Sequence, residues 1–149
     1  MLKKLLIIKA LLANLCLLAF AIVVSSATSA ETIYYVSSSL GNDQNNGLSK
    51  EAPWSSLKKI SSQTFEPGDV IKFKSGDTFF GSLDINSSGQ SDKPIVFTKY
   101  GGAVLPIIDA SSQDNGEHVA AIMIQDQDHI EISHLNIRNH RKHGQSKTS

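Results

Sequence analysis

Residues 129–139 read His129-Ile130-Glu131-Ile132-Ser133-His134-Leu135-Asn136-Ile137-Arg138-Asn139. Apolar residues alternate at 130 and 132 and resume at 135 and 137, so the phase slips by one across Ser133-His134. Within a single strand that slip would send every later side chain to the opposite face. A corner between two short strands absorbs it, because each strand still turns its own apolar side inward. A β-bulge in one longer strand is the alternative.

Working upstream, short apolar runs recur at Val70-Ile71-Lys72-Phe73, Leu83-Asp84-Ile85, Ile95-Val96-Phe97 and Ile107-Ile108, with Ile122-Met123-Ile124 before the corner segment. The anchors 71, 83, 95 and 107 are evenly spaced, a dozen positions from each to the next. Between them stand Ser75-Gly76-Asp77, Ser87-Ser88-Gly89 and Gly101-Gly102. Each run is too short for a helix and reads as a strand bounded by glycine turns. Two all-β architectures give this beat. One is an antiparallel meander or sandwich, in which short strands and turns alternate at regular spacing. The other is a right-handed parallel β-helix, a solenoid whose every second run stacks on the first. The solenoid predicts a coil of two beats, with Ile71 on Ile95, Leu83 on Ile107 and Val119 opening the next level. The corner at Ser133-His134 favours it.

Nearer the N-terminus, Ile33-Tyr34-Tyr35-Val36 reads as an opening strand, followed by the turn-rich loop Gly41-Asn42-Asp43-Gln44-Asn45-Asn46-Gly47. In Pro53 to Ser62 the apolar residues Trp54, Leu57 and Ile60 recur at i, i+3 and i+6 with lysines between them, which predicts a short amphipathic helix. A solenoid must cover the open end of its first coil. This helix is assigned that capping role, with Phe65 as a further plug and Glu66-Pro67-Gly68-Asp69 as the turn into the first full coil.

The 149 residues sum to a net charge of zero, but unevenly. Residues 1–30 hold Lys3, Lys4 and Lys9, no acid, and the apolar run Ala10 to Val24. The small residues Ser25-Ser26-Ala27-Thr28-Ser29-Ala30 follow. That layout is a secretory signal peptide cleaved after Ala30 or Ala27, with Ala30 favoured. An uncleaved anchor over Leu5 to Val24 is the alternative. The remaining 119 residues carry 11 Lys+Arg and 14 Asp+Glu, net −3, and lose the one cysteine, Cys16. A disulfide scaffold, a zinc ribbon, a thiol enzyme and a strongly basic nucleic-acid binder are thereby excluded. The expected address is secreted, periplasmic or cell-surface, without membrane attachment once the signal is removed. Residues 140–149 contain no apolar residue and read as a polar, disordered tail.

In order, the motifs Tyr34-Tyr35-Val36-Ser37, Gly41-Asn42-Asp43 to Gly47-Leu48-Ser49, Ala52-Pro53-Trp54, Pro67-Gly68-Asp69-Val70-Ile71-Lys72-Phe73, Gly76-Asp77-Thr78-Phe79 and Lys93-Pro94-Ile95-Val96-Phe97 with Tyr100-Gly101 form a pattern. It resembles the N-terminal part of bacterial right-handed parallel β-helix proteins of the pectate-lyase-like superfamily, over roughly residues 33 to 139. The resemblance implies export, two to three coils over residues 31–139 behind a capping helix, and action on polysaccharide. Lyases of this superfamily often pair calcium with a lysine or arginine base on middle coils. No position here aligns with those motifs, so no catalytic residue is carried over, no cofactor is assigned to this chain, and calcium is expected only in full-length relatives.

The candidate sites are modest. Asp43 to Gly47 offers oxygen ligands for calcium, but Trp54 stands where an EF-hand places its closing acid, and a self-bonded Asn/Asp turn accounts for the loop. Asp126, Asp128 and Glu131, with Asp109 and Asp114 a coil earlier, have the chemistry for calcium or for paired acid–base work, and equally for solvated turns. His118, His129, His134, His140 and His143 lack metal-ligand spacing on a helix. Arg138, Arg141, Lys142 and Lys147 form a basic end, net +4, behind a body of net −7 over residues 31–137. Arg138 is a weak candidate lyase base. Trp54, Tyr34 and Tyr35 can stack on sugar rings or pack in the cap, and Asn139 suits a coil corner. The chain therefore reads as a fragment of a polysaccharide-degrading enzyme, not competent alone. A non-catalytic glycan-binding or adhesion module and a β-sandwich binding module are the alternatives. With no C-terminal cap in view, self-association through the open end is the other partner expected.

Overall fold

The computed structural model describes residues 30–111 and 120–139. Nine short strands and one helix follow in the order β1 (Ile33–Val36), α1 (Leu57–Ser61), β2 (Val70–Lys74), β3 (Thr78–Phe80), β4 (Leu83–Ile85), β5 (Ile95–Tyr100), β6 (Ile107–Asp109), β7 (Ile122–Ile124), β8 (Ile130–Ile132) and β9 (Asn136–Arg138). They form three sheets, ordered β1-β2-β5-β8, β3-β6-β9 and β4-β7. Every strand pairing is parallel. From β2 onward the chain visits the first, second and third sheets in that order, twice, then the first and second again.

A parallel return normally needs a long crossover, usually a helix. Here two strands of the other sheets fill that length: β3 and β4 lie between β2 and its neighbour β5. Alternation does the rest. Ile71 and Phe73 of β2, Leu83 and Ile85 of β4, and Ile95 and Phe97 of β5 are buried while their neighbours face outward. Parallel sheets are usually apolar on both faces; these keep one face in the core and one free. The antiparallel pairing expected of a sandwich is absent from the described strands, since the runs at 71 and 83 lie in different sheets.

The register corrects the sequence expectation. Ile71 lies beside Phe97, the next inward position along β5, and not beside Ile95. A shift by one full period of the strand leaves the inward face unchanged, so the core pattern survives. Leu83 lies beside Ile122, not Ile107, because the unanticipated strand β3 takes the second sheet and pairs Thr78 with Ile107. The even beat thus runs through strands of three sheets. Val119, expected to open the next level, lies outside the described residues, as do the leader up to residue 29 and the tail from residue 140. No helix among the described residues is long and apolar enough to cross a membrane.

The corner at Ser133-His134 is present: β8 ends in the first sheet, β9 begins in the second, and His134 sits at φ 56°. That left-handed conformation, with Asp126 and His129 at φ 56° and 55°, turns the chain without glycine. The helix is shorter than expected. Ser56 is its N-cap, its hydroxyl accepting from the Lys59 N–H, and Trp54 precedes the helix in a parallel bridge to Val36. Leu57 and Ile60 are buried, and α1 packs on β4, where Ser61 Oγ accepts from the Asp84 N–H. Aromatic rings fill the centre: Phe73 meets Phe79 edge-on at 5.2 Å, and Phe65 meets Tyr34 at 5.4 Å and Phe97 at 6.2 Å. Burial of each such ring contributes about 2–3 kcal/mol.

Candidate functional site

The free outer face of the four-stranded sheet concentrates the chemistry. Register puts Tyr35 of β1 beside Lys72 of β2 and Lys72 beside Thr98 of β5. Beyond Thr98, Ser133 donates its hydroxyl to Thr98 Oγ1 at 3.2 Å, and His134 Nδ1 lies 3.5 Å from the same oxygen. This row of ring, amine, hydroxyls and imidazole crosses β1, β2 and β5 and ends on the corner after β8, because outward positions recur at every second position on each strand. In the next row Lys74 lies beside Tyr100. The Tyr100 ring meets Tyr35 edge-on at 5.1 Å, with Lys50 Nζ 6.0 Å from its centroid. On the other flank, Val70 and Val96 floor an open groove of about 250 Å³ walled by Glu31, Asp92, Lys93 and Pro94.

Burial, then the charges of Asp77 and Glu51 and the neighbouring Tyr35 phenol, push the Tyr100 phenol above its usual range. It therefore stays neutral and able to donate at physiological pH. Asp77 fixes the end of the face. It accepts from Ser37 Oγ at 2.7 Å, Ser39 Oγ at 2.8 Å, Ser39 N at 3.2 Å and Lys74 Nζ at 3.1 Å. Burial pushes its carboxyl up, but these bonds outweigh that and hold it below the usual carboxylate range.

The other sequence candidates are dispersed. Asp43 is no open cation ligand: it accepts from Ser55 N, Ser56 N and Ser56 Oγ at 2.8, 3.1 and 2.6 Å and anchors the chain entering α1. Burial raises its carboxyl and the serine bonds bring it below its usual range. Asn42 and Asn46 close Asx turns on Gln44 N and Leu48 N. Trp54 is withdrawn from solvent, stacked on Tyr34 at 4.9 Å with its indole N–H on Asn45 O, so neither ring of that pair is a sugar platform. Tyr35 alone of the three aromatics faces outward. Asp109 accepts from Ser111 N and Oγ. Asp126 and Asp128 are exposed before β8, with His129 beside them, and Glu131 lies on β8 in register with Val96. No cluster of three or more His, Cys, Asp or Glu suited to a metal occurs among the described residues. Arg138 is exposed on β9, and Asn139 is exposed after it. Asp114, His118, His140, His143, Arg141, Lys142 and Lys147 lie outside the described residues.

Sequence reading missed Lys72, Thr98 and Tyr100 as site residues. Their signal was present as the polar half of each alternating strand, but it became a site only once the strands were in register.

No protein-family model matches the chain. It is similar to the lacto-N-biosidase of Bifidobacterium longum subsp. longum, 30% identical over 138 residues, covering 77% of this chain and 9% of that protein. It is also 34% identical over 99 residues to the uncharacterised protein YwoF of Bacillus subtilis, covering 66% of this chain and 20% of that one. Among solved structures, the GH136 lacto-N-biosidase of Eubacterium ramulus superposes with a TM-score of 0.68 at 26% identity, over 78% of this chain and 22% of that one. A rhamnogalacturonan lyase shares the fold alone, with a TM-score of 0.58 at 19% identity over 71% of this chain and 28% of that one. The chain thus spans a fifth or less of the curated relatives it matches.

Proposed function

We propose that residues 31–139 form the opening portion of a right-handed parallel β-helix of the pectate-lyase-like type, exported by the leader at residues 1–30. In this reading the chain is a carbohydrate-contacting part of a sugar-degrading enzyme, without catalytic competence alone. The observation that carries the reading is the fixed rotation of the chain through three parallel sheets. The likeness to two lacto-N-biosidases supports the sugar class. The outer face from Tyr35 to His134 is then a sugar-contacting surface: aromatic faces cover the apolar side of a pyranose, and hydroxyl, amine and imidazole groups bond its hydroxyls. Glycoside hydrolysis needs two carboxylates flanking the bond. Here Asp109 is engaged by Ser111, while Asp126, Asp128 and Glu131 lie about β8.

The test incubates the purified chain with lacto-N-biose-terminated oligosaccharide, pectin, alginate and glycosaminoglycans. The expected result is no released disaccharide and no ultraviolet-absorbing unsaturated product. Calcium-dependent cleavage would overturn the incompetence while supporting the family. A non-catalytic glycan-binding module is the second reading, favoured by the Tyr35–Tyr100 pair on the free face. Saturable binding without turnover, lost in Tyr35→Ala and Tyr100→Ala, would select it.

A further inference from the structure

The central row of the outer face holds a cation without a counter-ion. Lys72 stands on β2 between Tyr35 on β1 and Thr98 on β5, one strand spacing of about 4.8 Å from each. It is half-buried, and among the described residues it makes no ion pair and no hydrogen bond. The other lysines of this side are engaged: Lys74 by Asp77, Lys99 by the Gly102 carbonyl, and Lys50 over the Tyr100 ring. The Asp77 carboxylate already accepts from Ser37, Ser39 and Lys74. Glu131 lies one outward row away, in register with Val96 rather than with Thr98.

The groups beside Lys72 are placed as donors. Ser133 donates its hydroxyl to Thr98 Oγ1 at 3.2 Å, and that oxygen lies 3.5 Å from His134 Nδ1. Where Thr98 donates to Nδ1, the neutral imidazole carries its proton on Nε2, which is left for a ligand. Where Nδ1 carries the proton and donates, the Thr98 hydroxyl proton is left instead. Both arrangements offer an ammonium with three N–H donors and one donor more, in a row with no carboxylate. A neutral sugar hydroxyl donates as well as accepts, whereas this row is matched to an acceptor-only group. Separate donors on β2, on β5 and at the corner after β8 suit a tetrahedral oxyanion. A planar carboxylate is best met by the fork of an arginine, and the row contains none.

We propose that Lys72, Thr98 and His134 bind the sulfate or phosphate ester of a sugar whose ring lies against Tyr35 and Tyr100. This rests on the reading of the outer face as sugar-contacting, and adds to it a charged substituent and its place. The edge-on tyrosine pair carries the ring. Lys72 is the next outward side chain across the sheet from Tyr35, so a substituent leaving the ring in that direction meets the ammonium first. Ser133 is a positioning residue, fixing Thr98 Oγ1. Glu131 opposes the anion from the adjacent row.

The test is an NMR titration of the isotope-labelled full chain with galactose, galactose 6-sulfate, galactose 6-phosphate and galacturonate at fixed ionic strength. These sugars share one ring and differ at C6. An ester should bind about ten-fold tighter than galactose, and tighter than galacturonate, with shifts centred on Lys72, Thr98 and His134. The stronger ester names the anion. Lys72→Met keeps the apolar stem and should abolish the advantage. Lys72→Arg should move the preference toward galacturonate. Glu131→Gln should increase the ester's advantage by about two-fold, and Lys58→Met, exposed on α1, should leave it unchanged. Lys72 has no partner to strand, so its variants should fold, which far-ultraviolet dichroism checks. Equal affinity for galactose and its esters, tightest binding of galacturonate, or an advantage that survives Lys72→Met would overturn the proposal and leave the sugar-contacting face standing. Binding of none of these sugars would overturn both.

Discussion

Removing the Asp77 carboxylate should unlock the junction between the opening loop and the first corner. Asp77 is 6% exposed and accepts four hydrogen bonds, three from Ser37 and Ser39 and one from Lys74. Bonds to a charged group contribute about 1.5–3 kcal/mol each when counted singly, and less when they share one acceptor. The Lys74 pair is partly solvated, with the lysine side chain 31% exposed, and adds under about 1 kcal/mol. Asp77→Ala also strands the Ser37 hydroxyl and the Ser39 N–H, so its cost is about 3–4 kcal/mol. Asp77→Asn keeps one acceptor oxygen; placed where Oδ2 stands, it still accepts from Ser37 Oγ and Ser39 N, and the Ser39 hydroxyl can rotate to accept from the new amide, but Lys74 loses its partner and the remaining bonds lose their charge, giving about 2 kcal/mol. Urea unfolding at pH 7 measures both. The pH dependence has a fixed sign: a carboxyl held below its ordinary value adds stability above its unfolded pKa of about 3.9 and loses it as pH falls through the lower folded value. The gap between wild type and Asp77→Asn should therefore be widest above about pH 5 and narrow on acidification. An Asp77→Ala variant within about 1 kcal/mol of wild type at pH 7, or a gap unchanged by acid, would refute the reasoning.

Three further outcomes follow from the same geometry. Asp43→Ala frees Ser55 N, Ser56 N and Ser56 Oγ and should cost about 1–2 kcal/mol by thermal denaturation; added calcium should not restore it, since these donors are not cation ligands. Gly89→Ala would place a methyl 2.5 Å from His129 O and 2.7 Å from Ile95 N, both backbone atoms, and should lower stability by about 3 kcal/mol in urea titrations. His134→Val should be about 1–2 kcal/mol less stable than His134→Gly, because φ 56° suits glycine and opposes a β-branched side chain; equal stabilities would remove the left-handed corner from the account.

What was legible in the sequence was whatever depended on face, and what was not depended on register. The slip at Ser133-His134 revealed a corner because a change of phase is local, and Leu57 and Ile60 revealed a buried helix side for the same reason. The pairing of Leu83 differs from expectation because Thr78-Phe79-Phe80 does not stand out as a strand in the even beat; only the tertiary path shows that it occupies the second sheet beside Ile107. Trp54 looked helical from its spacing, yet Pro53 and the bridge to Val36 hold it extended before the Ser56 cap. The outer row Tyr35-Lys72-Thr98 was invisible as a unit, since its members are distant along the chain and meet only through parallel pairing.

The most direct test of the three-sheet rotation is the set of through-hydrogen-bond couplings measured by NMR on the isotope-labelled chain. The account predicts Val70 N–H to Thr32 C=O, Val96 N–H to Asp69 C=O, Ile107 N–H to Asp77 C=O, Leu83 N–H to Ala121 C=O and Asn136 N–H to Pro106 C=O. Reciprocal couplings between strands adjacent in sequence, such as β2 with β3, would mean an antiparallel meander and would contradict it.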